Sequence, residues 1–332
     1  MINKYIEYKI HLKEYIKYTL ESREFIKRLN GKLEENLCPI CGINDYKDVF
    51  KTLAYEFVKC NNCELVYPKK LFKQEVFDEF YKEDEGQNKI WKSEYETLML
   101  KKFKKELSEQ SYVKIIKKYS LKKNKYLDIG CGFGESLYHL KHYFKSVEGI
   151  ELNKYTSKMG SFLFNTKIYN KTLAKAKLKK GTYDCISLLN VIEHLYDLDI
   201  FYEINKLLKK GGIVYIECPF MDSLSMELFR EKHNAVDNFE HINMFNIKSF
   251  EKLAKKYGFE VVNTTTDETL DIQLNDILMA NSKNFIHRFN DIPFINPLNV
   301  FLYLLSNTVC SKTKLLSKYL GGSYIQVVLR KK

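Results

Sequence analysis

The stretch Tyr126-Leu127-Asp128-Ile129-Gly130-Cys131-Gly132-Phe133-Gly134 runs an apolar strand straight into three glycines at alternate positions, and Glu135 opens a helix behind them. Glycines so spaced let a chain turn sharply and bring its backbone against a ligand with no Cβ in the way. A glycine loop alone is weak evidence, but its surroundings strengthen it. Glu151 closes the next strand, 17 residues past Gly134, where a carboxylate can accept hydrogen bonds from both hydroxyls of a ribose.

The loop therefore reads as a nucleoside cradle, and its charge selects among nucleosides. A dinucleotide fingerprint wants a glycine at position 135, where this chain has the bulky Glu135. An acid there repels a pyrophosphate but suits the cationic amino and sulfonium groups of S-adenosylmethionine. The residues favour that cofactor over NAD.

Working outward, the region after Lys125 alternates strand and helix. Strands are expected at 126–129, 146–151, 167–169, 184–189, 213–217 and 259–263, with a last one at 323–329. Helical segments separate most of them, the signature of an α/β fold with a mostly parallel sheet and crossover helices. Residues 1–37 show apolar positions every three or four residues and read as a helical arm, 71–122 as a helical cap or linker, and 265–320 as a helical insertion.

Between arm and cap, residues 38–70 differ in kind. Cys38-Pro-Ile-Cys41 and Cys60-Asn-Asn-Cys63 lie 18 residues apart, within the spacing of a four-cysteine zinc site. Each pair can place two thiolates on one metal, and four soft sulfurs close a tetrahedral Zn²⁺ site. Such a site is structural and ties down a small ribbon that lacks a core of its own.

The 332 residues are 45% hydrophobic and carry a net charge of +12. Ten lysines against two acids between Lys101 and Lys125, and six lysines without an acid from Lys167 to Lys180, read either as an anion-binding surface or as a solvated helix face. The first twenty residues contain no unbroken apolar run of a secretory signal, and Val300–Leu305 is too short to span a bilayer. Eight cysteines without a leader point to a reducing, cytoplasmic setting. The sequence does not reveal the oligomeric state.

Taken together, Leu127 to Gly134, Gly149-Ile-Glu-Leu152, Tyr183 to Leu195 and Leu207-Leu-Lys-Lys-Gly-Gly212 resemble, in order, the motifs of a class I S-adenosylmethionine-dependent methyltransferase. The four cysteines followed by Phe80-Tyr81 resemble a subgroup with an N-terminal zinc motif. The resemblance implies a Rossmann-like seven-stranded sheet built from 123–264 plus 321–332, and methyl transfer to small metabolites, sugars or polysaccharide precursors. It further implies that Asp128 with Gly130, Cys131, Gly132 and Gly134 holds the methionyl end. Glu151 would take the ribose, Leu152 and Leu173 the adenine, and Asn190 would stand by the methionyl group and acceptor. Many relatives carry an acid near position 173 for the adenine amine, and Thr172-Leu173-Ala174 has none.

A hydroxyl acceptor calls for a general base. The candidates are His194 and Glu193, just beyond the fourth strand, and His241 in Glu240-His-Ile-Asn-Met-Phe245, with His194 best placed. His233 is a weaker candidate, and His139 and His142 read as ordinary helix residues. Cys131, Cys185, Cys218 and Cys310 show no metal spacing and read as buried small residues. Two rivals stand beside the small-molecule or glycan acceptor. One is an RNA methyltransferase, favoured by the charge but lacking a Pro-Pro-aromatic run after Asn190. The other is a non-catalytic, zinc-anchored scaffold.

Overall fold

The computed structural model describes residues 24–29, 33–80, 111–223, 226–227, 230–237, 239–267 and 322–332. Seven strands form the central sheet: β6 (Lys125–Ile129), β7 (Ser146–Ile150), β8 (Lys167–Tyr169), β9 (Tyr183–Leu189), β10 (Leu208–Pro219), β11 (Phe259–Asp267) and β12 (Tyr324–Lys331). Their order is β11-β12-β10-β9-β6-β7-β8. All pairings from β10 to β8 are parallel, and β12 alone runs antiparallel, between β10 and β11. The chain thus winds outward from β6 in both directions, and the tips of β6 and β9 lie side by side at the point where the winding reverses. Ligands bind at such points in open α/β sheets.

Period-2 alternation sorts the strand residues to the two faces of the sheet. Leu127, Ile129, Ile186, Leu188, Val214 and Ile216 share one core with Phe201 and Ile204 of the helix Ile200–Leu207 and with Phe250 and Leu253 of Ile247–Lys256. Tyr126, Cys185, Ile213 and Tyr215 face the other way, onto Tyr112, Val113 and Ile116 of Ser111–Tyr119 and Leu137 and Leu140 of Glu135–Leu140. Both faces are covered, as a parallel sheet requires. The lysine-rich helix of the sequence reading survives over Ser111–Tyr119.

The ribbon is a three-stranded antiparallel sheet of β2 (Tyr46–Lys51), β3 (Glu56–Cys60) and β4 (Val66–Pro68). Beneath it lies an aromatic cluster centred on Phe239, whose ring sits 4.7 Å from Phe80, 5.8 Å from Phe25 and 5.9 Å from Phe77. Each such ring, fully buried, stabilises by about 1.5–3 kcal/mol.

The structure departs from the sequence reading in the arm. Residues 24–28 are helical, but Leu33–Glu35 forms a strand, β1, paired with β5 (Lys70–Phe72) instead of prolonging the helix. A three-residue strand exists only through its partner, so local periodicity cannot announce it. The same pairing makes the start of the expected helical cap a strand, after which Gln74–Phe80 is helical. The helical insertion expected at 265–320 does not begin at 265, because Thr265, Thr266 and Asp267 complete β11 by pairing with β12, a partner that lies far off in sequence. The remainder of that insertion with Cys310, and residues 1–23, 30–32 and 81–110 of the arm and cap, lie outside the described residues.

Candidate functional site

At the tip of β6 the three glycines of the loop all hold positive φ, with 69° at Gly130, 53° at Gly132 and 87° at Gly134. Two of them serve different ends. A Cβ on Gly130 would sit 2.5 Å from Val191, so Gly130 permits the β9 turn to pack against the loop. A Cβ on Gly132 would meet nothing within 4 Å, so that residue borders open space and glycine serves its left-handed φ.

Glu151, at the tip of β7, clasps the loop. Its Oε2 accepts from the Gly132 N–H at 2.8 Å and its Oε1 from the Asn153 N–H at 2.7 Å. Asn153 caps the following helix, Lys154–Phe164, by accepting from the Thr156 N–H. Burial pushes the Glu151 carboxyl up, partly offset by these backbone N–H groups.

Asp128 sits underneath the loop. It is 2% exposed, and its carboxylate accepts from the hydroxyls of Ser187, at 2.5 Å, and Ser136. Burial pushes it up to about 7. Asp128 thus braces the loop from below, stapling β6 to β9 and to the helix behind the glycines. Leu152 is 64% exposed and Leu173 is buried. Cys131, Cys185 and Cys218 are buried, as the sequence suggests.

At the tip of β9, Asn190 is held left-handed at φ 53° while its N–H donates to the Glu217 carbonyl. Strain of this kind at a strand tip is characteristic of functional turns. The turn Ile192–His194 follows, and the segment 240–245 is laid across it, with the N–H groups of Ile242 and Asn243 both donating to the Glu193 carbonyl. Asn243 also donates from Nδ2 to the Leu195 carbonyl at 2.8 Å.

This docking brings together the three residues that the sequence nominates as bases. One donor atom from each of Glu193, His194 and His241 lies within 4.8 Å of the others, and the imidazole centroids are 4.5 Å apart. His194 Nδ1 faces the Glu240 carbonyl at 3.2 Å, with a Glu240 carboxylate oxygen 3.9 Å away. His241 Nδ1 faces the Ala235 carbonyl at 2.7 Å. Burial holds His194 well below its usual range, helped by the neighbouring His241, and holds His241 down to about 4. Burial conversely pushes Glu193 up to about 8. His233 is outside this group but near His241, buried, with its Nδ1 accepting from the Ala235 N–H. His139 contacts Tyr112.

The sequence reading passed over Tyr55 and Asn243 as site residues and left Glu240 without a role. Tyr55 Oη and Asn243 Oδ1 are buried polar atoms with no hydrogen-bond partner. Neither residue type nor spacing marked Tyr55, because only folding brings the ribbon over this loop.

In the ribbon, the sulfurs of Cys38, Cys41, Cys60 and Cys63 lie within 4.8 Å of one another, and none is in a disulfide. The two Cys-x-x-Cys turns match. Each is followed by a left-handed residue, Gly42 at φ 69° and Glu64 at φ 64°, whose N–H donates back to the first cysteine's carbonyl. The Cys41 N–H and Asn62 Nδ2 each aim at a sulfur, at 3.4 Å. Four convergent sulfurs with N–H donors around them suit a tetrahedral zinc ion.

The sequence model of a methyltransferase domain matches residues 96–264, about half of the chain. The chain belongs to this methyltransferase-domain family. It is 36% identical over 104 residues to a ubiquinone biosynthesis O-methyltransferase of Pelagibacter ubique, covering 29% of this chain and 42% of that protein. It is 30% identical over 131 residues to an uncharacterized protein of Methanocaldococcus jannaschii, covering 39% and 56%. The methyltransferase-family chain thus spans about half the length of these curated relatives. Among solved structures, a candidate methyltransferase of Bacillus halodurans superposes with a TM-score of 0.50 at 14% identity, over 67% of this chain and 98% of that one, a likeness of fold.

Proposed function

We propose that this methyltransferase-family chain binds S-adenosylmethionine on the Gly130–Gly134 loop and transfers its methyl group to an oxygen of a small metabolite, sugar or polysaccharide precursor. The observation that carries the reading is a juxtaposition. The loop with its Glu151 clasp stands at the tips of β6 and β7, and the Glu193–His194–His241 cluster stands beyond the tip of β9, the strand next to β6. The first is a nucleoside cradle and the second a group of proton acceptors.

The chain's residues fit the cofactor. The open side of Gly132 leaves room for the methionyl portion, and the remaining Glu151 lone pairs suit the ribose hydroxyls. Exposed Leu152 and buried Leu173 offer apolar surface to adenine. Asp128 acts from below, through the loop it braces and through its charge. Bound there, the cofactor supplies an electrophilic methyl group for in-line displacement. The protein's part is to align the nucleophile, worth ~7–11 kcal/mol, and to take its proton.

His194 is best placed for the proton. A carbonyl can only accept, so Nδ1 carries the hydrogen and Nε2 is left bare as the base. The buried Glu240 carboxylate offsets the charge that forms. The Pelagibacter relative is by name an O-methyltransferase, which favours oxygen as the acceptor. The zinc in this reading is structural. An RNA acceptor is disfavoured because Lys117, Lys118, Lys123 and Lys167 lie over tyrosine rings of the protein itself.

The test is a screen of hydroxylated metabolites and nucleotide-sugars with isotope-labelled methyl donor. His194→Ala is expected to lower kcat roughly 10²–10⁴-fold with cofactor affinity unchanged. Full turnover in that variant would remove His194 from the chemistry.

A further inference from the structure

One potential ligand atom from each of Glu193, His194 and His241 lies within 4.8 Å of the others past the β9 tip. The Nδ1 atoms of His194 and His241 each lie against a backbone carbonyl, at 3.2 and 2.7 Å, so each ring carries its hydrogen on Nδ1 and bares Nε2. Glu193 is 1% exposed, and its Oε2 has no hydrogen-bond partner. A buried, unpaired carboxylate oxygen is costly, and a proton shared with the neighbouring imidazoles would show as a hydrogen bond. What satisfies several converging lone pairs at once is a cation.

We propose that Glu193, His194 and His241 form a second metal site, separate from the four cysteines, that takes a divalent transition ion. Two imidazoles and one carboxylate are a ligand set suited to zinc, iron(II) or manganese(II), with coordination positions left open. The Nδ1–H to carbonyl bonds are the outer contacts that orient metal-binding histidines and fix their tautomer. Ligands of one such ion lie ~3–4 Å apart, given bonds of ~2.0–2.2 Å. One potential ligand atom of each residue already lies within 4.8 Å of the others, close to that spacing. The ligands come from two segments, the β9 turn and 240–245, that the Glu193 carbonyl already pins together. The link to methyl transfer rests on the proposed function: with an ion bound, the His194 Nε2 would be a ligand and no longer the base, the ion would lower the pKa of an acceptor hydroxyl in its place, and an acceptor with adjacent hydroxyls suits the open positions.

The experiment starts from full-length protein carrying one equivalent of zinc on its cysteines, desalted and titrated with cobalt(II) followed by visible absorption and calorimetry. The expected result is one further equivalent, bound with micromolar affinity and lacking the intense thiolate charge-transfer band of a cysteine site. Glu193→Gln, which keeps shape, and His241→Ala should each weaken it at least tenfold while retaining the zinc. If His241→Ala fails to fold, His194→Gln replaces it. No second equivalent at millimolar cobalt, or one bound equally by the variants, overturns the proposal. Because the readout is metal uptake, it is independent of whether the protein transfers methyl groups.

Discussion

Glu151 and Asp128 are both acids at strand ends beside the glycine loop, yet folding surrounds them differently. Glu151 accepts from backbone N–H groups of its own loop, whereas Asp128 is closed off by two serine hydroxyls. Only the serines distinguish them, and Ser136 and Ser187 are 8 and 59 residues from Asp128 in sequence. The histidines show a similar split. His233 is buried and accepts from the Ala235 N–H, and burial followed by the charge of His241 pushes it down to about 4. In the unfolded chain a histidine takes its proton near pH 6.5. Between pH 6.5 and about 4 the unfolded state therefore binds more protons, and His233 removes stability as pH falls through that window. His233→Gln cannot titrate, so its melting temperature relative to the natural protein should rise steadily from pH 6.5 to 4. A constant difference, measured by thermal unfolding across that range, would show that His233 is not held neutral.

At the scale of elements, what the sequence showed was whatever has a local cause. The strands around the glycine loop fall within a residue or two of their expected places, because apolar runs, glycine turns and helix caps are written locally. β10 starts earlier than expected, at Leu208, since its first residues pair with Tyr183 before a bulge that Gly211 turns at φ 74°. β1 was missed altogether, because its pairing with Lys70–Phe72 is not local. The convergence of the four cysteines was legible, but the tie between the ribbon and the segment 240–245 was not. Val66 and Met244 exchange backbone hydrogen bonds at 3.2 and 2.8 Å, Glu64 pairs with Lys248 at 2.6 Å, and Lys252 donates to Asn62. The ribbon therefore buttresses the segment bearing His241. Stripping zinc with a thiol-competent chelator should lower the melting temperature and raise hydrogen exchange at Met244 and its neighbours, leaving the amides of β7 protected. Exchange confined to the ribbon would refute the buttress.

For the whole molecule, the proposed function gives one side of the sheet two purposes: a cofactor seat over β6 and β7, and acceptor chemistry beyond β9, beside the four-cysteine ribbon. The fold belongs to many activities, so the acceptor must be argued from the residues around the pocket, not from the sheet. The central claim is the identity of the cofactor, and calorimetric titration of S-adenosylmethionine into zinc-loaded protein tests it most directly, with NAD as control and Glu151→Ala alongside. Micromolar binding of the sulfonium, none of NAD, and a loss of about 10–100-fold in the variant are expected from losing a charged acceptor worth ~1.5–3 kcal/mol. Binding of neither ligand, or equal affinity in Glu151→Ala, would contradict it.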